Sequence, residues 1–297
     1  MSATRAEPAV PPGPDPAPVR GPARLLAVRL GGGLLSAYVA LGLVAAVTIV
    51  AVAAPLIAPD NPIQPTGTFY LPPGSPGHLL GTDAIGRDIF SRVILGTRTS
   101  WLISLAVVAL GLAFGAVVGT IAGAVGGIVD AVLMRVTDMF LALPAVLVAI
   151  AVAAALGPGL LHTFWAISVV WWPYYARIVR GEVRALAIRP HVEAARMAGV
   201  GRLRIMWRHL LPGVFPTAIV AASLDVGNVV LALASLSFLG LGQPAPAPEL
   251  GADTANGLSS LLSYYWIPVM PGLAVTVLSL VANLGGDGVR ILLTRRK

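Results

Sequence analysis

Few residues of this sequence could do chemistry, and Asp225 is the first of them. It is an acid well inside an apolar run, with Asn228 three positions on and therefore on the same helix face. A carboxylate in such surroundings is costly unless it pairs, takes a proton or meets water. Asp225 and Asn228 are thus candidates for lining a polar pathway, or for satisfying one another through a hydrogen bond. Enzymatic chemistry needs more, a nucleophile beside a base or two facing acids. His162 and His209 stand isolated, and no HExxH or comparable metal spacing occurs. With no cysteine, thiolate metal sites and disulfides are excluded. No catalytic residue and no metal site is assigned. The only lysine is Lys297, so a GxxxxGK phosphate loop is impossible and any energy from ATP must come through a partner.

A second set of residues has the chemistry of docking. In HVEAARMAGVGRLRIMWRHLLP, His191 to Pro212, Pro190 suits the first turn of a short helix and Glu193 sits at the positive end of its dipole. Ala194, Ala195 and Ala198 give a narrow surface that another protein can approach closely, and Gly199 can take the left-handed conformation that ends a helix. A second helix is predicted from near Gly201. Its Leu203, Met206, Trp207 and Leu210 fall on one side and Arg202, Arg204 and Arg208 on the others, as in a piece lying along a membrane interface. Pro212 is expected to close it. The arginines taken alone are what any internal loop of a membrane chain carries.

The elements that position these residues follow from composition. At 57% hydrophobic and 11% charged, with mean hydropathy +0.84, the 297-residue chain is an integral membrane protein. A bilayer core of about 30 Å takes roughly 20 apolar residues per helix. Six stretches qualify: Leu34–Ala58, Trp101–Ala124, Met139–Leu156, Leu160–Val179, Val214–Leu241 and Tyr264–Asn283. The proline-rich residues 1–30 cannot bury enough surface to order and read as a disordered cytoplasmic tail. Residues 31–96 read as the first span and an external loop, 97–288 as a five-helix core with an internal loop at about 180–212, and 289–297 as a basic tail. With both termini cytoplasmic, every basic residue except Arg87, Arg92 and Arg98 lies inside. That bias accounts for the +7 net charge without any nucleic acid.

In the external loop, Thr82 or Asp83 is expected to cap an amphipathic helix on which Ile85, Ile89 and Val93 share a face and Asp88 pairs with Arg92. In the second span Gly111, Gly115, Gly119, Gly123 and Gly127 recur every fourth residue, which predicts a bare face for close helix packing. Tyr264, Tyr265 and Trp266 read as an interface belt. Trp171 and Trp172, beside Pro173, face either a pathway or a partner helix.

Glu193, Ala194, Ala195, Gly199, Leu211 and Pro212, at these spacings in the largest internal loop, resemble the coupling loop of the permease subunits of ABC importers. LLGTDAIGRDIFSRVILGTRTSWL (Leu79–Leu102), LSFLGLG (Leu236–Gly242) and NLGGDGVR (Asn283–Arg290) resemble signatures of the dipeptide, oligopeptide and nickel branch, so the likeness covers nearly all of the chain after Gly31. Where that branch often carries Glu shortly before LSFLGLG, this chain has Leu233, whereas His209, in place of the isoleucine of the broad family pattern, resembles the RH-x-LP of the peptide-importing branch. The resemblance implies an all-α type I permease fold of six transmembrane helices in a bacterial cytoplasmic membrane. It implies a second homologous permease, two ATP-binding cassette ATPases holding ATP and Mg, and a periplasmic or lipid-anchored substrate-binding protein. The substrate would be a short peptide or a nickel chelate. No cofactor is expected on this chain. The reading from another class is a self-contained, ion-coupled secondary transporter.

Overall fold

The computed structural model describes residues 33–294, so the expected N-terminal tail and the last three basic residues lie outside it. The described residues are helical with no strand. Helix α1 spans Leu34–Ile57 and α2 spans Ile89–Val125. At about 1.5 Å per residue both exceed the bilayer core. The expected loop helix is not a separate piece, because it is the first part of α2. Asp88 caps it, accepting from the Ser91 N–H at 2.7 Å. Thr82 and Asp83 precede that helix in a turn. Asp83 Oδ1 accepts from the amides of Ile85 (3.0 Å) and Arg87 (2.9 Å), and Gly86 has φ +83°, which no continuing helix allows.

The apolar run Met139–Leu156 is not one helix either. It divides into α3 (Gly127–Leu141) and α4 (Ala145–Leu156), bent 83° apart. Pro144 explains the break, since it has no N–H to donate and its ring collides with the preceding turn. Helix α5 (Leu160–Ala187) runs past the expected Val179 end and carries Arg180 and Arg184 with it. The short α6 (Pro190–Met197) follows, then α7 (Arg202–Ile205), a π turn at Met206–Leu210, and α8 (Leu211–Phe238). Pro212 does not close the segment as expected. The π turn, in which the Leu211 N–H donates to the Met206 carbonyl, takes up an extra residue and lets Pro212 sit inside a continuous helical path. After α9 (Leu250–Gly257), α10 extends over Trp266–Thr294, so NLGGDGVR is helical.

Four of these are long and apolar enough to cross a membrane: α1, α2, the path Leu203–Phe238 and α10, or five if bent α3–α4 counts as one span. Helix α5 has the length, at 28 residues, but is not among them, since His162, the Trp171–Tyr175 run and the arginines at its end leave it less apolar. The six-span count therefore depends on a bent span and a charged one.

The core explains the glycine pattern. A Cβ on Gly115 would lie 2.6 Å from the Trp172 carbonyl oxygen, and one on Gly119 would lie 2.4 Å from that of Ala176. Gly111 and Gly123 approach Tyr175 and Val183 on the same helix, so α2 packs backbone to backbone on α5. Gly127 is outside this stripe, since α2 ends at Val125 and Gly127 begins α3 with φ +56°. Trp101, Ile167, Tyr175, Leu233 and Leu236 fill the centre.

Candidate functional site

The predicted docking helix stands out from the bundle with one side fastened. Val192 is fully buried among Val183, Leu186, Ile205 and Leu210, while Glu193, Ala194 and Arg196 are exposed and Ala195 is half-buried. Its end is a Schellman motif. The Gly199 N–H donates to the Arg196 carbonyl at 3.0 Å and the Val200 N–H to that of Ala195 at 3.1 Å, with Gly199 at φ +76° as its position predicts. Ala195 and Val200 both rest on the apolar cluster under the loop, the contact that accompanies this cap. Beyond it Leu211 is half-buried and Pro212 exposed. Ile188, Met197 and Leu203 are also exposed, at 80%, 87% and 66%, so the outward side is apolar as well as charged. His209 sits in the π turn with a buried Nδ1 that has no hydrogen-bond partner among the described residues.

The loop is held at the base of the bundle by ion pairs between α3 and α5. Asp130 on α3 is buried and accepts from Arg180 Nη2 at 2.8 Å, from Arg180 Nε and from Arg184 Nη2. Asp138 pairs with Arg177 in a more exposed position. The signal in the sequence was the spacing of Arg177, Arg180 and Arg184, which places all three on one helix face. This cluster clamps α3 to the end of α5 that leads directly into α6.

Asp225 is buried with both carboxylate oxygens hydrogen-bonded. Its Oδ2 accepts from Trp171 Nε1 and from the Tyr175 hydroxyl at 2.8 Å, and its Oδ1 from Asn228 Nδ2 at 3.0 Å. The carboxylate ties α5 to α8, and Trp171 faces this partner helix. Asn228 is exposed on the surface of the chain, so of the two pathway candidates only its side chain is open. Trp172 packs edge-on against Phe114 and Phe140.

The loop between α1 and α2 folds on a third polar network. Arg92 does not pair with Asp88. Its Nε donates to Asp253 Oδ2 at 3.1 Å, its Nη2 to Asp253 Oδ1, and its Nη1 to the carbonyls of Pro62 (2.7 Å) and Pro246 (3.1 Å). One guanidinium thus joins three segments distant in sequence. Asp83 instead binds Arg87 at 2.6 Å, and Asp88 binds His78 Nδ1 at 3.0 Å. Trp266 is no interface belt, being buried with its Nε1 donating to the Thr82 carbonyl at 3.3 Å, while Tyr264 stacks on Tyr70. Only Tyr265 of that trio is exposed. Glu249 caps α9, accepting from the Ala252 N–H at 3.2 Å, and is fully buried. Burial pushes its carboxyl up to about 7. Burial also raises Asp253, against the pull of Arg92.

Residues 115–297 match the family described as binding-protein-dependent transport system inner membrane component. The dipeptide transport system permease protein DppC of Escherichia coli (strain K12) is 43% identical over 260 residues, covering 86% of this chain and 87% of that protein. The di/tripeptide transport system permease protein DppC of Pseudomonas aeruginosa (strain UCBPP-PA14) is 38% identical over 243 residues, covering 80% of each.

Proposed function

This chain belongs to the family of binding-protein-dependent transport inner membrane components, and from that premise we propose that it forms half of the pathway of an ATP-driven peptide importer. It is the non-catalytic membrane subunit. Its relatives are named for dipeptides and di/tripeptides, which makes short peptides the substrate class. The observation that carries the reading is α6, an exposed helix rooted by Val192 and fixed by the Gly199 cap between two long membrane helices. Such a helix has no packing role toward solvent, whereas it can transmit displacement to both helices it joins.

The mechanism follows from the connections. Two cytoplasmic ATPases hold ATP and Mg between them, and each receives one coupling helix. When they close on ATP, α6 moves with the ATPase surface. Because the Asp130–Arg180–Arg184 cluster clamps α3 to α5, and Asp225 ties α5 to α8, the displaced elements move as a block. A second, homologous permease supplies the other half of the pathway, and the two rock between inward-open and outward-open states. A periplasmic or lipid-anchored binding protein delivers the peptide. Both termini and α6 lie on the cytoplasmic side, α9 and residues 58–88 on the other, and α3–α4 with α5 complete six crossings. A secondary carrier is disfavoured because Asp225 already holds three donors and is not free to bind a coupling ion.

The test is uptake of labelled di- and tripeptides into proteoliposomes carrying the assembled complex. The reading expects uptake only with ATP and the ATPases present, unaffected by an imposed proton gradient. Gradient-driven uptake by the permease chains alone would overturn it.

A further inference from the structure

The loop between α1 and α2 brings together three residues that the function above does not use. Asp60, His78 and Asp88 each present one ligand atom, and these atoms lie within 4.8 Å of one another. His78 Nδ1 and Asp88 Oδ1 are 3.0 Å apart. A tetrahedral ion with bonds of about 2.0–2.2 Å holds neighbouring ligands about 3.3–3.6 Å apart, so the pair has to open by only about half an ångström to admit one. We propose that Asp60, His78 and Asp88 form a divalent-metal site of the zinc type that fastens this loop to the start of α2.

The donors are aimed by the backbone. Asp88 spends Oδ2 on the Ser91 N–H, which leaves Oδ1 to point at the imidazole. The Asp60 N–H is held by the Ser91 hydroxyl at 3.1 Å, so the residue is fixed beside the same helix start. His78 Nε2 lies against Gly67, where a Cβ would come within 2.6 Å, so only Nδ1 faces the carboxylates.

Charge argues the same way. Asp88 and His78 are buried, at 0% and 8% exposed, while Asp60 is partly open and leaves room for water ligands. The arginines of this loop are committed elsewhere, Arg87 to Asp83 and Arg92 to Asp253. Neither oxygen of the Asp60 carboxylate has a hydrogen-bond partner among the described residues. Two carboxylates therefore share one imidazole, and even its protonated form leaves a net negative charge in a largely buried place. A divalent cation neutralises it. One nitrogen and two carboxylate oxygens suit a borderline ion such as Zn²⁺, whereas Mg²⁺ and Ca²⁺ favour oxygen-only sets.

The experiment uses the purified complex, stripped with chelator and titrated with Zn²⁺, or with Co²⁺ as a coloured probe. The wild type should take up one equivalent of Zn²⁺ per permease chain beyond what Asp60→Asn or His78→Gln takes up. Its thermal midpoint should rise on loading, and Co²⁺ should give a visible absorption band that both variants lose. Removing one of three protein ligands should weaken binding at least about tenfold, the least that even an outer-shell partner is worth. Asp60→Asn tests the site without unfolding it, because its carboxylate bonds to nothing else. Excess Mg²⁺ should not displace the Zn²⁺. Equal Zn²⁺ uptake and midpoint shift in wild type and Asp60→Asn would overturn the site, leaving an ordinary His78–Asp88 ion pair.

Discussion

Gly199→Val isolates the joint between α6 and the membrane helices. At φ +76° the backbone is left-handed, and a Cβ there would meet nothing within 4 Å, so the cost is torsional and not a collision. A branched residue in that region costs about 1–3 kcal/mol. If the chain escapes the strain by flipping, it forfeits the Gly199 and Val200 hydrogen bonds, each worth about 0.5–1.5 kcal/mol net, and lifts Val200 off the apolar cluster. Either route shifts the cap by about 2 kcal/mol, which is a factor of about 30 in its population. The membrane helices are untouched. Gly199→Val should therefore insert at normal levels and lose substrate-stimulated ATP hydrolysis and uptake together. Gly199→Asn should fall in between, since Asn tolerates the left-handed region. Gly181→Ala, equally open but without positive φ, should match the wild type. The assay is ATP turnover and peptide uptake in proteoliposomes, normalised to inserted protein. Full coupling in Gly199→Val would refute the reasoning, as would an equal loss in Gly181→Ala.

Three further changes test the supporting structure. Gly119→Leu places a Cβ 2.4 Å from the Ala176 carbonyl oxygen and should cost at least about 1–3 kcal/mol by forcing α2 from α5, read as a lower thermal midpoint of the complex. Asp225→Asn should lose about 1–3 kcal/mol as two donors from α5 lose a charged acceptor, yet keep its transport dependent on ATP; loss of that dependence would return Asp225 to an ion-coupling role. Glu249, raised from 4.5 to about 7, binds a proton when folded that the unfolded chain has released between those values, so its contribution is full at low pH and is lost as pH rises through about 7. The span is on the order of 3 kcal/mol. Glu249→Gln should flatten the fall in stability from pH 5 to 8, measured by thermal unfolding at each pH, and an unchanged slope would contradict the burial argument.

What was legible in the sequence was local. Pro190, Glu193 and Gly199 mark the start and end of α6 because caps and left-handed glycines act over a few residues. The glycine stripe of α2 was legible for the same reason, apart from Gly127. Apolar composition located the spans but could not see the 83° bend at Pro144, since a hydropathy window weighs residues without regard to their order. It also stopped α5 short, because Arg180 and Arg184 read as loop until Asp130 supplies their partner. The outer network was hidden for a different reason. Asp88 and Arg92 have helical spacing, but Asp253 and the carbonyls of Pro62 and Pro246 compete for Arg92 from distant parts of the chain, and no local pattern contains them. Asp60, His78 and Asp88 converge through the same loop, so the sequence offered no metal spacing to find.

The claim on which the account rests is that α6 touches the ATPase. The natural absence of cysteine allows one photoactivatable thiol label per chain without background. Placed at Ala194→Cys, on the exposed side of α6, it should cross-link the ATPase subunit in an assembled, transport-active complex. At Ser259→Cys, exposed beyond α9, the same label should not reach it. An active complex in which Ala194→Cys captures no ATPase, or in which Ser259→Cys does, would contradict the account.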